Sequence, residues 1–144
     1  METNDVVMSG VQLKKLVARK VDPIIKEYDL RPVELDILIF LKNKTDIDTA
    51  KGIIEQKHLS KAHVSKSIEN LRSGEFIKVI EDEQDHRIFR IRLTPKSDEV
   101  ITKVAEIYEE CKSVIERDIG QDELNIAKKV VLKMIRNINQ ELGE

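Results

Sequence analysis

Hydrophobic positions recur at three- and four-residue steps over most of this chain, which is the spacing of amphipathic helices. The first such segment runs from Met8 to Tyr28 and contains Pro23, which we expect to bend it. A second helix is predicted to begin at Pro32, since proline suits a first turn, and nearly all of its sides are apolar. A short third helix follows with Asp48 as its expected cap, and a fourth runs from Ser60, its predicted cap, to Ser73.

Two short apolar runs after the fourth helix predict a β-hairpin. They cover 76–80 and 88–93, and the polar residues between them form its tip. Gly74 stands where a helix end in the left-handed conformation is expected. Two long amphipathic helices are predicted beyond the hairpin, one opening at Pro95 and one after a break at Gly120. The predicted fold is mainly α with a small β-wing: a winged helix-turn-helix with long N- and C-terminal helices.

The terminal helices carry more apolar surface than a small winged helix can cover. Apolar stripes without an internal partner imply a second chain, so we predict a homodimer built from these helices. The alternative is that the same helices close into an intramolecular three-helix bundle. We therefore divide the chain into an N-terminal dimerisation helix (1–29), a winged-helix domain (30–97) and C-terminal dimerisation helices (98–144).

Charge is distributed unevenly along the chain, although its net value is only −2. Residues 30–97 carry 13 basic and 11 acidic side chains, whereas residues 98–144 carry 7 and 11. Between residues 57 and 72 there are four Lys or Arg side chains and a single Glu. Local potential governs the attraction of phosphates more than total charge does. The winged-helix domain is therefore the segment predicted to bind DNA.

The outer face of the fourth helix is the predicted reading surface for the major groove. Short polar groups there would meet base edges, and lysines would reach phosphates. The inward face is predicted to be Val64, Ile68 and Leu71. A merely solvated outer face is the alternative, and the flanking short helix and hairpin favour the reading surface. Its members are Ser60, Lys61, Ala62, His63, Ser65, Lys66 and Asn70.

The hairpin tip carries a second set of candidate DNA contacts. Asp85 and Arg87 are two residues apart, so in an extended chain they point to the same side. The carboxylate can then orient the guanidinium for a narrow minor groove. An ordinary exposed ion pair is the alternative. His86 and Arg90 complete the predicted contacts of the wing, although Arg90 is also compatible with the solvent face of a strand.

Several short motifs follow one another in a specific order. They are Thr49-Ala50-Lys51, the segment Leu59 to Ile68, then Leu71 and Gly74, then Asp85-His86-Arg87, and finally Leu93-Thr94-Pro95. In this order they resemble the MarR family of winged helix-turn-helix regulators. The resemblance implies a homodimeric regulator of a pseudo-palindromic operator in double-stranded DNA, which it often releases when a small-molecule effector binds. We predict a repressor.

The single cysteine and the hydropathy of the chain bear on its location. Cys111 lies on an apolar stripe and is predicted to be a buried structural thiol rather than a redox switch. It cannot form an internal disulfide, which fits a reducing cytoplasm. No run is apolar enough to span a membrane, and residues 1–9 lack a signal-peptide pattern. We expect a cytoplasmic protein.

No chemistry beyond binding is predicted. The three histidines, His58, His63 and His86, lack the spacings of a metal site, so no metal is expected. There is no cofactor motif and no nucleophile–base pair, so we predict that the protein is not an enzyme. Two alternatives stay open. One is a winged-helix interaction or scaffold module that binds protein instead of specific DNA, and the other is an enzyme dimerisation domain or a small hydrolase.

Overall fold

Over the residues that the structure describes, the chain forms six helices and one two-stranded sheet. The computed structural model describes the backbone of residues 3–143 and the side chains of Asp5 and of residues 8–143. The mainly helical fold with a β-wing, predicted from the sequence, is confirmed. The elements are α1 (Thr3–Glu27), α2 (Pro32–Asn43), α3 (Ala50–Lys57), α4 (Lys61–Ser73), β1 (Ile77–Glu81), β2 (Phe89–Leu93), α5 (Pro95–Ile115) and α6 (Gln121–Leu142).

The chain divides within α5 into two compact units, the first ending at Tyr108 and the second beginning at Glu109. The first unit has an aliphatic core centred on α2, whose Ile37 and Leu38 are fully buried. Burying one such side chain contributes roughly 1.5–3 kcal/mol, so this core is the main source of stability of the unit. The other elements of the unit add to the same cluster, among them Ile24 of α1, Ile53 of α3, Leu71 of α4, Ile91 of β2 and Val104 of α5.

The first helix is longer than its hydrophobic pattern predicted. It begins at Thr3, and it continues through Pro23 as one α-helix to Glu27. Proline removes one helical hydrogen bond, and the buried side chains of Val21 and Ile24 on either side of it offset that loss. Packing against the core therefore keeps this helix continuous at Pro23, which would interrupt an isolated helix.

The short third helix is capped by Thr49 and not, as predicted, by Asp48. Thr49 Oγ1 accepts a hydrogen bond from the Gly52 N–H at 3.1 Å. The carboxylate of Asp48 is instead bonded to Arg90 and Arg92 of β2. A side chain held by two guanidinium groups is not available to a helix end, so Asp48 attaches this loop to the wing.

The end of α4 also differs from the prediction. Gly74 has a φ of −79°, and the left-handed residue is Glu75, with a φ of 62°. Glycine is nevertheless needed at position 74, because a Cβ there would lie 2.8 Å from the ring of Phe76. Close packing, rather than backbone conformation, explains this glycine.

The wing is an antiparallel hairpin whose register runs from the Ile77–Leu93 pair to the Glu81–Phe89 pair. Its tip therefore spans residues 82–88, one residue later than predicted. At its base, Thr94 is buried and donates its hydroxyl to the Phe76 carbonyl oxygen at 3.0 Å. This bond fixes the point at which the wing ends and α5 begins.

The second unit contains the last turns of α5 and all of α6. Cys111 is buried, as predicted. α6 has no buried residue. Four of its apolar residues, spaced at three and four positions, form what we call the α6 stripe: Val131, Ile135, Ile138 and Leu142, which are 50%, 47%, 56% and 65% exposed. Among the helices that the structure describes, none is long and apolar enough to cross a bilayer.

Candidate DNA-binding surface

α4 presents most of the predicted reading residues on one exposed face. Its inner face consists of Val64, Ser67 and Leu71, which are buried, while Ile68 is only half-buried. Ile68 packs against the same core, as predicted, and Ser67 joins this inner face because positions three and seven residues after Val64 point inward together. The predicted reading residues that are exposed on the opposite face are Lys61, Ala62, His63, Ser65 and Lys66.

Ser60 closes the N-terminus of α4, as the sequence predicted. Its hydroxyl oxygen accepts a hydrogen bond from the His63 N–H at 3.1 Å, and its backbone is extended. The cap satisfies one of the backbone donors that a helix start leaves unpaired. Ser60 therefore holds the first turn, on which Lys61 and His63 stand, in its helical form.

Asn70 is tied to a neighbouring helix. Its Nδ2 donates a hydrogen bond to Glu34 Oε1 at 2.9 Å, and Glu34 is only 2% exposed. Glu34 also accepts hydrogen bonds from Arg31 Nε and the Arg31 N–H, both at 2.8 Å. Burial raises the pKa of Glu34, but the bonds from Asn70 and Arg31 outweigh it, so that pKa lies below its ordinary value. This cluster connects the end of α4 to the start of α2.

The Asn70→Ala variant should therefore lose stability while keeping the DNA sequence preference of the wild type. Removing a hydrogen bond to a charged group costs roughly 1.5–3 kcal/mol at pH 7. A carboxyl whose pKa is lowered on folding stabilises the protein above its ordinary value of 4.5, and that contribution is lost as the pH falls through the lowered pKa. Denaturant titrations at pH 7 and at successively lower pH values, taken down through the lowered pKa, should show the deficit of the variant shrinking at acid pH. Ser65→Ala, on the exposed face, is the control, and an equal deficit in both variants would contradict this role.

At the wing tip, Arg87 and Asp85 form the pair that their spacing predicted. Arg87 Nε donates to Asp85 Oδ1 at 3.1 Å, Nη2 donates to Oδ2 at 3.2 Å, and the Arg87 N–H donates to Oδ1 at 3.1 Å. These bonds lower the pKa of Asp85. The segment is a turn and not an extended strand, yet the side chains meet. The Arg87 side chain is 90% exposed, so the carboxylate orients a guanidinium that faces solvent.

The remaining two wing candidates are engaged within the domain. His86, which is exposed, contacts the carboxylate of Glu81 through Nδ1. Arg90 donates from Nη1 to Asp48 Oδ1 at 2.8 Å and from Nε to Asp82 Oδ2 at 2.9 Å. The structure therefore places Arg90 in a bridge between two carboxylates, rather than on the solvent face that the sequence allowed.

Sequence reasoning missed the acidic side of this bridge, although one signal was available. The hairpin register pairs Ile80 with Arg90, and Asp82 lies two residues after Ile80, so it is a diagonal neighbour of Arg90 on the same face. No comparable local signal connects Arg90 to Asp48, which lies 42 residues earlier. Over the part of the chain that the structure describes, no three His, Cys, Asp or Glu side chains converge on a metal-binding position.

The sequence and fold of this chain are similar to those of known DNA-binding proteins. Residues 30–97 match the family described as winged helix DNA-binding domain. A MarR protein from Peptoclostridium difficile has the same fold, with a TM-score of 0.76 and 18% identity over 98% of this chain and 91% of that chain. The HTH-type transcriptional regulator BilQ of Clostridioides difficile is 25% identical over 99 residues. The chain therefore shares the fold of MarR proteins and contains a winged helix DNA-binding domain.

Two further comparisons show how much of each chain the similarity covers. The match to BilQ covers 69% of this chain and 66% of BilQ, slightly less than two thirds of that relative's length. The MepR protein of S. aureus, solved as a complex with DNA, shares the fold with a TM-score of 0.67 and 21% identity, over 91% of this chain and 95% of that chain.

Proposed function

We propose that this protein is a transcriptional repressor of the MarR type that binds a pseudo-palindromic operator in double-stranded DNA as a homodimer. The observation that carries the proposal is the guanidinium of Arg87, exposed and oriented by Asp85 in the same domain as the outer face of α4. A fixed, outward-facing Arg suits the backbone or the narrow minor groove of DNA. A polar helix face that carries two lysines suits the major groove.

Within this proposal, the exposed residues of α4 divide into two groups. Lys61 and Lys66 contact phosphates, whereas Ala62, His63 and Ser65 lie against base edges. The only partner of Lys66 given by the structure is Glu69, at 3.5 Å, in a pair that is exposed on both sides. Exposed pairs of this kind stabilise little, so exchanging Glu69 for a phosphate costs little.

Other candidates hold the surface in place. Ser60 caps α4, Asn70 ties the same helix to α2, and Asp85 orients Arg87. Such side chains act on DNA affinity through the geometry of their neighbours. At the tip, His86 is the exposed neighbour of Arg87 and completes the proposed contact surface.

The homodimer is supported by the α6 stripe. Four large apolar side chains, each about half exposed, lie on one side of a helix that has no buried residue. Self-association through the terminal helices, 1–29 and 98–144, removes such surface from water. A two-fold dimer would also place two copies of α4 about 34–36 Å apart, one turn of duplex DNA, which matches a pseudo-palindrome.

Release by a small molecule completes the proposed function. An effector weakens DNA binding if it favours a dimer in which the two copies of α4 are not spaced for successive major grooves. The resemblance of the sequence motifs to those of the MarR family supports this part of the proposal.

Selection of genomic fragments tests the proposal directly. Purified protein is incubated with sheared genomic DNA at low salt, and the retained fragments are sequenced and then used in mobility shifts. Enrichment of a pseudo-palindromic sequence, with affinity that falls steeply as salt rises, is expected. Retention without sequence enrichment, or affinity that ignores salt, would instead favour a protein-interaction module.

The Lys66→Ala and Ser65→Ala variants should separate phosphate contacts from base contacts. Lys66→Ala should weaken binding to every fragment and reduce the slope of log K against log[salt] by about 0.9 per half-site. Ser65→Ala should change the preferred bases and leave that slope unaltered. Lys112→Ala, exposed and outside residues 30–97, is the matched control. A similar loss in Lys112→Ala would assign the effect to total charge and exclude a Lys66 contact.

A further inference from the structure

We propose that Asp82 and Asp48 are positioning residues for DNA binding, which act through Arg90 to hold the wing tip where Arg87 meets the duplex. The inference rests on the proposed function, because it assigns a role within that same DNA contact. Its basis is a continuous path of hydrogen bonds that begins before α3 and ends at the guanidinium of Arg87.

Asp82 organises the tip itself. Its Oδ1 accepts hydrogen bonds from the Gln84 N–H at 2.9 Å and from the Asp85 N–H at 3.0 Å. Its own N–H donates to the carbonyl oxygen of Ile88 at 2.8 Å, on the far side of the loop. Asp82 therefore bonds to residues on both sides of the turn. These bonds fix the backbone position of Asp85, whose side chain holds Arg87.

The second oxygen of Asp82 is held by Arg90. Arg90 Nε donates to Asp82 Oδ2 at 2.9 Å, while Nη1 of the same group reaches Asp48 Oδ1 at 2.8 Å. A planar guanidinium with fixed donor directions can bridge two carboxylates in this way, whereas a lysine ammonium lacks that geometry. Arg90 therefore connects the tip of the wing to a residue outside the wing.

Asp48 anchors the other end of the path. Its side chain is 15% exposed, and its second carboxylate oxygen accepts a hydrogen bond from Arg92. Its carbonyl oxygen accepts the Ile91 N–H at 2.7 Å, which attaches β2 to this loop through the backbone as well. The next residue, Thr49, caps α3, and α3 packs against α4. The path therefore fixes the wing relative to the helices that carry the proposed reading face.

The charges of this cluster argue for a geometric role. Arg90 and Arg92 are opposed by Asp48 and Asp82, so the four side chains together carry no net charge and attract phosphates weakly. If simple electrostatics governed the wing, removing an acidic group near DNA would raise affinity. If Asp82 positions the tip, its removal lowers affinity. The two accounts thus predict opposite signs for one substitution.

The decisive comparison is between Asp82→Ala and Glu83→Ala in the full-length protein, by mobility shift on a fragment that the wild type retains. Both substitutions remove one negative charge at adjacent positions of the tip, and Glu83 is exposed. Asp82→Ala should bind about 10-fold more weakly than wild type, whereas Glu83→Ala should bind equally well or more tightly. An Asp82→Ala variant that binds as tightly as Glu83→Ala would overturn the positioning role.

A double-mutant cycle tests whether Asp82 acts through Arg87. In an Arg87→Ala background, Asp82→Ala should cause no further loss of affinity, and fully additive losses would overturn the proposal. If Asp82→Ala does not fold, Arg90→Lys replaces it. That variant keeps the charge but not the bridge, and it should lose affinity about 10-fold, whereas undiminished binding would refute positioning. A wild-type protein that retains no DNA would refute the proposed function itself, which is a different result.

Discussion

A variant with Ile135→Glu and Ile138→Glu should be monomeric and should bind operator DNA at least about 100-fold more weakly than wild type. Both side chains lie in the α6 stripe, and the dimer is proposed to bury it. A carboxylate moved into an apolar interface without a partner is strongly unfavourable, so association should fail. The two half-sites would then be bound independently, and the gain from linked binding, roughly 10²–10⁴, is lost. Light scattering measures the mass in solution, and mobility shift measures the affinity.

The matched control for the dimer carries Asn137→Glu and Gln140→Glu. These residues are exposed on the same helix but lie away from the α6 stripe, and the two changes add the same charge. The control should remain dimeric and bind DNA nearly as the wild type does. A stripe variant that stays dimeric would show that α6 does not form the interface. A monomeric variant with full affinity would show that pairing is not required for DNA binding.

Arg87→Ala should reduce operator affinity about 10-fold at each half-site, and therefore about 100-fold for a dimer. The guanidinium is exposed and is held by two side-chain hydrogen bonds to Asp85, so it is oriented before DNA arrives. Its loss removes both a charge and a directed donor group. Thermal unfolding should be unchanged, because an exposed ion pair adds little stability. Mobility shift and a thermal melt on the same preparation test both halves of this prediction.

Two further substitutions serve as controls for Arg87→Ala. Arg87→Lys keeps the charge but not the planar fork, so it should restore only part of the affinity. Arg117→Ala removes an exposed arginine from the turn that precedes α6 and should bind DNA as the wild type does. If Arg87→Ala binds DNA with wild-type affinity, the wing has no part in recognition. A loss of the same size in Arg117→Ala would point to nonspecific attraction.

Much of the fold and the centre of the site could be predicted because their causes are local. The helix periods, the Ser60 cap and the Asp85–Arg87 pair each depend on residues within a few positions of one another. The α6 stripe is likewise visible as apolar residues at three- and four-residue steps. Steric and hydrogen-bonding preferences over such short spans act in almost any surroundings.

Contacts between segments that are distant in the sequence could not be predicted from local patterns. Asn70 was placed on the reading face because a helix pattern cannot show that Glu34, 36 residues earlier, lies beside it. Asp48 was assigned to a helix cap because a carboxylate suits one, although two arginines of β2 compete for it. In each case several partners are chemically suitable, and proximity in space selects one.

The amino-acid sequence by itself determined the helices, the wing and the exposed face of α4, since these follow from periodicity and short motifs. Only the tertiary structure decided which polar side chains are engaged within the fold and which of them face solvent. Burial and long-range hydrogen bonds engage Asn70 and Arg90 within the domain and leave Arg87 facing solvent. The physical reason is that an exposed and an engaged arginine look alike in a sequence, and they differ only in the carboxylates that folding brings within reach.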